Sequence, residues 1–316
     1  MPKEISFIHF SDLHVGQKWA TQYLPNAKEL VVDDLNFICE KLGKIDVVFF
    51  TGDIVQSGSE SEYNYFLEWF KDIYKCISRN GNSPYCVFVP GNHDLERSND
   101  TDNSTHKIIK DNWLNDENLR DTLIWDKNRE YNQYCVKRFE AYSAFLEKFY
   151  KDYKKPEVYR EGVLPGDFYA QLTFSGMTMG VVGLNSSFLQ VDGGNYQKKL
   201  GIYHKQINGI FGNEDYISLL KGNDFSLLLT HHAPEWYEPS SMEDYNINIF
   251  SGGKFVEHLC GHNHVPRSIR VSYDYGTPQH ISLAPSLFGV ELVDSCGRGT
   301  GSWHEKSTST LFQLIA

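Results

Sequence analysis

Five short clusters hold the residues of this 316-residue sequence that could do chemistry: Asp12-Leu13-His14, Gly52-Asp53, Gly91-Asn92-His93-Asp94, His231-His232 and Gly261-His262-Asn263-His264. Singly, each has a bland reading as a turn, a helix cap or a satisfied polar histidine. Together they supply carboxylate, imidazole and amide-oxygen donors. Three to four imidazoles in a mixed nitrogen and oxygen shell suit Mn, Fe, Zn, Co or Ni, whereas Ca and Mg favour oxygen alone. The donors suffice for two ions. Asp12, His14 and His264 would hold one; Asn92, a histidine of the His231-His232 pair and His262 would hold the other. Asp53 would bridge them at a separation of about 4 Å. In His262-Asn263-His264 the i, i+2 spacing points both rings to one side of an extended segment, and a slightly irregular turn then sends them to different ions.

Donors so far apart in sequence must be gathered by a scaffold, and each cluster follows a segment with strand character. Ile5 to Phe10 reads as a buried strand, and Ala27 to Leu42 carries apolar residues at helical spacing until Gly43. Val47 to Phe50 is a second buried strand. Ser59 with Glu62 forms a capping box for a helix through Cys76, and Tyr85 to Val89 is a third strand, ended by Pro90 and Gly91. Strand, helix, strand, helix, strand implies parallel βαβ units, whose ligands collect at the carboxyl ends of the strands. In the second half, apolar segments flank Ser175-Gly176 as a hairpin, and further strands are expected at Phe225 to Leu229, Phe255 to Cys260, Ser268 to Tyr273 and Thr310 to Ile315. The Gly-rich run Gly297 to Ser302 reads as a loop.

Residues 96–160 differ, with 13 basic and 13 acidic side chains and no glycine. They read as a helical insertion in a single domain spanning residues 1–316. Phe139, Tyr142, Leu146, Phe149 and Tyr153 fall on one helix face and are expected to pack on the core rather than to stack bases.

Composition narrows the class. The chain has 41 Asp+Glu against 30 Lys+Arg, a formal net charge of −11, which disfavours broad nucleic-acid or membrane-surface binding. The neutral insertion leaves all of that charge on the remaining body. The six cysteines are dispersed with no C-x-x-C pair and read as reduced, buried thiols. No stretch approaches the roughly 20 apolar residues of a membrane span. Cleaving the N-terminus as a signal peptide would destroy the Asp12 cluster, so a cytoplasmic location is expected. The chain stops soon after its last strand, as one domain of a longer multidomain protein would.

The five blocks, in this order, resemble the calcineurin-like metallophosphoesterase superfamily, whose pattern is D-x-H, G-D, G-N-H-D/E, H and G-H-x-H; the likeness runs from Asp12 to His264. It implies an α/β fold, a two-sheet αββα sandwich, and a dinuclear centre that hydrolyses phosphate esters by attack of a metal-bridging hydroxide. It also selects His231 over His232, because the family places this ligand first in an H-x-P-like turn after an apolar run, here Leu227 to Leu229. The metal ligands are then Asp12, His14, Asp53, Asn92, His231, His262 and His264, with Mn the favoured ion. His93 is the expected catalytic group, protonating the leaving alkoxide or stabilising charge on the phosphoryl group. Arg97 could reach a substrate phosphate, although a loop arginine is more often merely solvated.

The second block reads Gly52-Asp53-Ile54-Val55-Gln56-Ser57-Gly58, without the Asp-Arg pair of the G-D-x-x-D-R-G in phosphoprotein phosphatases. The wording SDLHVG, VPGNHDLER and VVGLNSS is closer to bacterial phosphodiesterase-like members, so a phosphodiester is the expected substrate. Two alternatives are an SbcD-like nuclease acting on DNA, served by the seven basic against four acidic residues of 137–160, and a non-catalytic scaffold of the same fold. Two divalent ions against two aspartates and a bridging hydroxide would leave the pocket near +1, a cationic point on an acidic protein.

Overall fold

Strands that are apolar at nearly every position, rather than at alternate ones, are strands covered on both faces. β1 (Glu4–Phe10), with Ser6 and His9 among its apolar residues, is buried from Ile5 onward; β2 (Val47–Thr51) is apolar at all but Thr51 and β3 (Tyr85–Val89) throughout, and both are buried. The computed structural model describes residues 4–97, 103–174, 176–251, 253–271, 279–286 and 310–315. In it β1, β2 and β3 run parallel, joined by α1 (Lys18–Leu42) and α2 (Glu60–Ile77). The Ser59 and Glu62 capping box opens α2 as expected. Helix α1 starts at Lys18, well before the apolar spacing marks it; Pro25, a residue that normally breaks helices, lies inside it.

Between β3 and β4 (Val158–Glu161) come α3 (Ser104–Asn112), α4 (Glu117–Asp121), α5 (Glu130–Arg138) and α6 (Glu140–Asp152). The second sheet continues with β5 (Phe168–Phe174), β6 (Met177–Gly183), β7 (Phe225–Leu229), β8 (Glu257–Cys260), β9 (Arg267–Val271) and β10 (Gln279–Leu283). Helices α7 (His204–Phe211) and α8 (Tyr216–Lys221) follow β6, and α9 (Pro239–Asp244) follows β7. Its order is β4-β5-β6-β7-β8-β10-β9, parallel from β6 through β7 and β8 to β10 and antiparallel at both ends. The last strand, β11 (Thr310–Ile315), returns to pair antiparallel with β1, giving a first sheet ordered β11-β1-β2-β3. The expected strand from Ser268 appears as β9; its end at Tyr273 and the Gly297 to Ser302 loop lie outside the described residues.

Period-two alternation sorts the side chains into three buried layers. Ile5, Phe7, Val47, Phe49, Val87 and Val89 face Ala170, Met179, Val181, Leu227, Leu229 and Leu259 between the two sheets. Their neighbours Ile8, Phe10, Val48, Phe50 and Phe88 face α1, α2 and α6. On the far side Val182, Leu228, Cys260 and Ile281 meet α7 and the segment around Tyr245. The result is helix, sheet, sheet, helix, the αββα sandwich. The aromatic face of the 96–160 segment is not one continuous helix: Phe139 interrupts it between α5 and α6 at φ −104°, ψ 18°, and Tyr153 follows the end of α6. The face packs on α2 and β3, with Phe145 stacked 4.8 Å from Tyr63 and Phe149 4.8 Å from Phe88. No described helix is long and apolar enough to cross a membrane.

Candidate metal centre

All seven expected ligands follow strand ends on the same rim of the sandwich. Asp12 and His14 follow β1, Asp53 follows β2 and Asn92 follows β3; His231 follows β7, and His262 and His264 follow β8. The two sheets thus contribute four and three donors. The loops after β1 and β2 are zipped together by Asp12 N–H to Gly52 O (3.0 Å), His14 N–H to Asp53 O (2.9 Å) and Val15 N–H to Ile54 O (3.0 Å). Five ligands hold a left-handed backbone: Asp12 (φ 55°), His14 (46°), Asp53 (52°), His262 (70°) and His264 (55°). Such conformations cost non-glycine residues about 1–3 kcal/mol each and gather where a site over-determines them. Glycine is required where backbones touch. At Gly52 (φ 92°) an added Cβ would lie 2.5 Å from Gly91 N and 2.6 Å from His231 Nδ1, and at Gly91 it would lie 2.2 Å from Asp53 Oδ1.

The donor atoms converge in two groups. In the first, His264 Nε2 lies 3.2 Å from Asp12 Oδ1 and 3.2 Å from His14 Nε2. In the second, His231 Nε2 lies 3.1 Å from Asn92 Oδ1 and 3.2 Å from His262 Nδ1. Asp53 Oδ2 stands between them, 3.9 Å from His14 Nε2 and 3.3 Å from His231 Nε2. Metal bonds of about 2.0–2.2 Å place neighbouring ligands roughly 3.0–3.5 Å apart, so the spacing fits a coordination shell. Asp12 Oδ1 is buried and accepts no hydrogen bond among the described residues, an orphan that a cation would satisfy. The nitrogen and oxygen donors therefore fit two transition-metal ions.

Hydrogen bonds behind the donors fix their orientation. His231 Nδ1–H donates to Thr51 O (2.7 Å), leaving Nε2 as the donor atom. His262 N–H donates to Asp12 Oδ2 (2.9 Å) and Ser286 Oγ–H to Asp12 O (2.9 Å). His232 stays beside this group: a ring nitrogen lies within 4.8 Å of ring nitrogens of His231 and His262, its Nδ1 lies 3.0 Å from Ser186 Oγ, and its buried Nε2 has no partner among the described residues. Burial lowers His14 to about 4, against the pull of the Asp53 and Asp12 carboxylates, and lowers His262 to about 3, so both present neutral rings. Burial opposes charge on His231 too, but the carboxylates of Asp53 and Asp12 outweigh it and raise that ring to about 9. Burial raises Asp53 in turn, yet His231 and His93 hold it well below the usual carboxylate range.

His93 sits half-buried at the mouth. Its backbone N–H donates to Asp53 Oδ1 (2.7 Å) and its Nδ1–H to Gln56 O (2.8 Å), which leaves Nε2 for another partner. Its ring lies 4.8 Å from that of His14, edge-on at 90°. Arg97 is tied inward rather than solvated, donating to Asn92 O at 3.0 Å.

Sequence alone places Asp94 within the third block without giving it a role, and it passes over Trp236. Asp94 is fully buried and clamps both loops, accepting from Ile54 N (3.0 Å), Val55 N (3.1 Å), Gly91 N (2.8 Å) and Tyr63 Oη (3.1 Å). Burial and the Asp53 charge push it up to about 7 despite those donors. Its place after Gly91-Asn92-His93 was the available signal. Trp236, whose ring centre is 4.2 Å from that of His262, had none.

The family model described as calcineurin-like phosphoesterase matches residues 5–266. No curated protein matches the chain. Among solved structures, purple acid phosphatase PPD1 from yellow lupin (Lupinus luteus) seeds is 12% identical at a TM-score of 0.48, over 100% of this chain and 50% of that one. GAP50, the anchor in the inner membrane complex of Plasmodium, is 12% identical at a TM-score of 0.40, over 99% of this chain and 78% of that one. The chain thus spans half the length of the lupin phosphatase.

Proposed function

This chain belongs to the calcineurin-like phosphoesterase family, metal-dependent phosphoester hydrolases, and from that premise we propose that it cleaves phosphodiesters with two divalent ions, manganese favoured. The observation that carries the reading is the convergence of two donor groups on either side of Asp53 Oδ2. Asp12, His14 and His264 would hold one ion, Asn92, His231 and His262 the other, and Asp53 both. Bound there, the ions would supply Lewis-acid charge to the phosphoryl oxygens and lower the pKa of an attacking water.

The protein's own part is positional. With Nδ1–H fixed on Gln56 O, a protonated His93 can offer Nε2–H to the departing alkoxide or to a phosphoryl oxygen. A diester suits the centre because it carries one negative charge, against a formal pocket charge near +1, whereas a monoester at neutral pH carries nearly two. The second block also lacks the Asp-Arg pair of protein phosphatases. A cytoplasmic setting agrees with the free thiols of Cys39, Cys76, Cys86, Cys135 and Cys260.

The test compares bis-p-nitrophenyl phosphate, p-nitrophenyl phosphate, cyclic nucleotides and single- and double-stranded DNA with Mn²⁺, alongside His93→Ala. Small diesters should turn over fastest, and with a cyclic nucleotide, whose alkoxide leaving group needs a proton, His93→Ala should retain both ions while kcat falls by roughly two to four decades. Preference for the monoester, or full activity of His93→Ala with its metals present, removes the corresponding part of the reading. DNA cleavage with a steep salt dependence favours a nuclease, and no turnover with Mn, Fe, Zn, Co or Ni favours a scaffold.

A further inference from the structure

The middle residue of Gly261-His262-Asn263-His264 has no place among the proposed ligands, yet it is firmly engaged. Asn263 Oδ1 accepts from Trp236 Nε1–H (3.0 Å), and Asn263 Nδ2–H donates to Glu235 Oε1 (2.6 Å). Glu235 Oε2 accepts in turn from Arg267 Nη1–H (3.0 Å). From below, Leu200 N–H donates to Trp236 O (3.3 Å). This latch holds the short 3-10 turn Pro234–Trp236 against the loop that carries His262 and His264. The indole stands at 87° to the His262 ring, and it is only half-buried, whereas His232, 5.9 Å from it ring to ring, is fully buried.

A large aromatic left partly in water beside a metal centre, with its one polar atom already bonded to Asn263, keeps an apolar surface for something planar. Position says which part of a substrate that is. His93, the proposed proton donor, lies against His14 of the first donor group, so the leaving alkoxide belongs on that side. Trp236 lies against His262 of the second group, on the side of the ester arm that stays on phosphorus.

We propose that Trp236 is a specificity-determining residue that stacks the base of the retained nucleoside in a phosphodiester substrate, with Asn263, Glu235 and Arg267 fixing the indole for that purpose. The proposal rests on the diesterase reading and narrows its substrate class to nucleoside diesters.

The experiment compares thymidine 5′-p-nitrophenyl phosphate with methyl p-nitrophenyl phosphate under Mn²⁺. Both release p-nitrophenolate and differ only in the retained arm, so the ratio of their kcat/KM values cancels damage common to both. The unsubstituted protein should favour the thymidine ester by roughly 5- to 150-fold, the range that stacking of a base on an aromatic ring covers. Trp236→Leu, which keeps apolar bulk against His262, should bring the ratio near one, chiefly through KM; Trp236→Phe should keep most of it. A ratio near one in the unsubstituted protein, or one that Trp236→Leu leaves unchanged, overturns the proposal. If neither ester turns over, the diesterase reading fails, and calorimetry with Mn²⁺ decides the role of Trp236 alone. Thymidine 5′-monophosphate should then bind at least 5-fold tighter than ribose 5-phosphate, a gap lost in Trp236→Leu; equal affinities in the unsubstituted protein sink it.

Discussion

Replacing Asp94 with asparagine changes one oxygen to an NH2 group inside a clamp made entirely of donors. Oδ1 accepts from Ile54 N, Val55 N and Tyr63 Oη, and Oδ2 from Gly91 N at 2.8 Å with a longer approach from Ile54 N at 3.3 Å. The less damaging rotamer puts the new amide against Gly91 N–H and leaves one buried donor unmet, a cost of about 1–3 kcal/mol. The opposite rotamer strands three donors and is disfavoured. Asp94→Asn gives up that hydrogen bond, but it also removes a charge that burial and Asp53 disfavour, as the rise of the carboxyl to about 7 shows, so at pH 8 the two effects oppose and the loss of unfolding free energy should fall below about 1–3 kcal/mol. Tyr63→Phe, which removes one donor and leaves the carboxylate its backbone partners, should lose only about 0.5–1.5 kcal/mol. Gly91 N–H precedes Asn92 and His93, so its release should also weaken Mn²⁺ binding at the group of Asn92, His231 and His262. Urea unfolding of the metal-free protein and Mn²⁺ calorimetry measure the two effects. If Asp94→Asn binds two ions with unchanged affinity, the clamp is idle and this reasoning fails.

Three further outcomes follow from the same contacts. Asp53→Asn, which removes the carboxylate between the two donor groups, should lower metal content below two ions per chain; a variant that still binds two tightly by elemental analysis contradicts the bridging role. Burial alone would raise Asp192, but Lys110 Nζ at 2.5 Å and the Gly194 N–H and Tyr196 hydroxyl donors bring it down to about 2. A depressed carboxyl stabilises above its unfolded value of about 4 and loses that contribution as pH falls toward 2, so the urea-midpoint gap between the unsubstituted protein and Asp192→Asn should be full near pH 6 and close by pH 2; a constant gap disproves it. Gly183→Ala would set a Cβ 2.1 Å from Phe168 Cε1 and 2.7 Å from Val89 Cγ1, at the seam between the sheets; a loss of about 1–3 kcal/mol in urea unfolding is expected, and a neutral result shows that the seam can relax.

Much of the scaffold could be read before any coordinates. Tyr85 to Val89, Phe225 to Leu229 and Thr310 to Ile315 appear as strands with those bounds, and the Ser59 and Glu62 box opens α2, because continuous apolar runs and cap residues are local signals. Where local signals conflict, the boundary was lost: Pro25 hid the start of α1, and Phe139 keeps the spacing of its neighbours while the backbone turns out of the helix. Neither His232 nor Trp236 could be placed by spacing. Whether His231 or its neighbour faces Asn92 depends on a hydrogen bond to Thr51 O, 180 residues away, and the indole is aimed by Asn263, 27 residues on. Long-range contacts of this kind leave no periodicity in the chain.

The division of donors between the sheets makes the centre depend on the interior that joins them. Asp12, His14, Asp53 and Asn92 ride on the first sheet, while His231, His262 and His264 ride on the second. Direct bonds that cross at the rim include His262 N–H to Asp12 Oδ2 and His231 Nδ1–H to Thr51 O. What holds the halves in register is the buried layer of Phe7, Val47, Phe49 and Val89 against Ala170, Val181, Leu227 and Leu259, close-packed side chains that resist sliding. That stiffness is also what can hold five ligands in left-handed conformations. A shift of the sheets by about 1 Å would take His231 Nε2 out of the range in which Asp53 Oδ2, now 3.3 Å away, could share an ion with it. The inter-sheet core is therefore part of the metal site, although none of its side chains carries a donor.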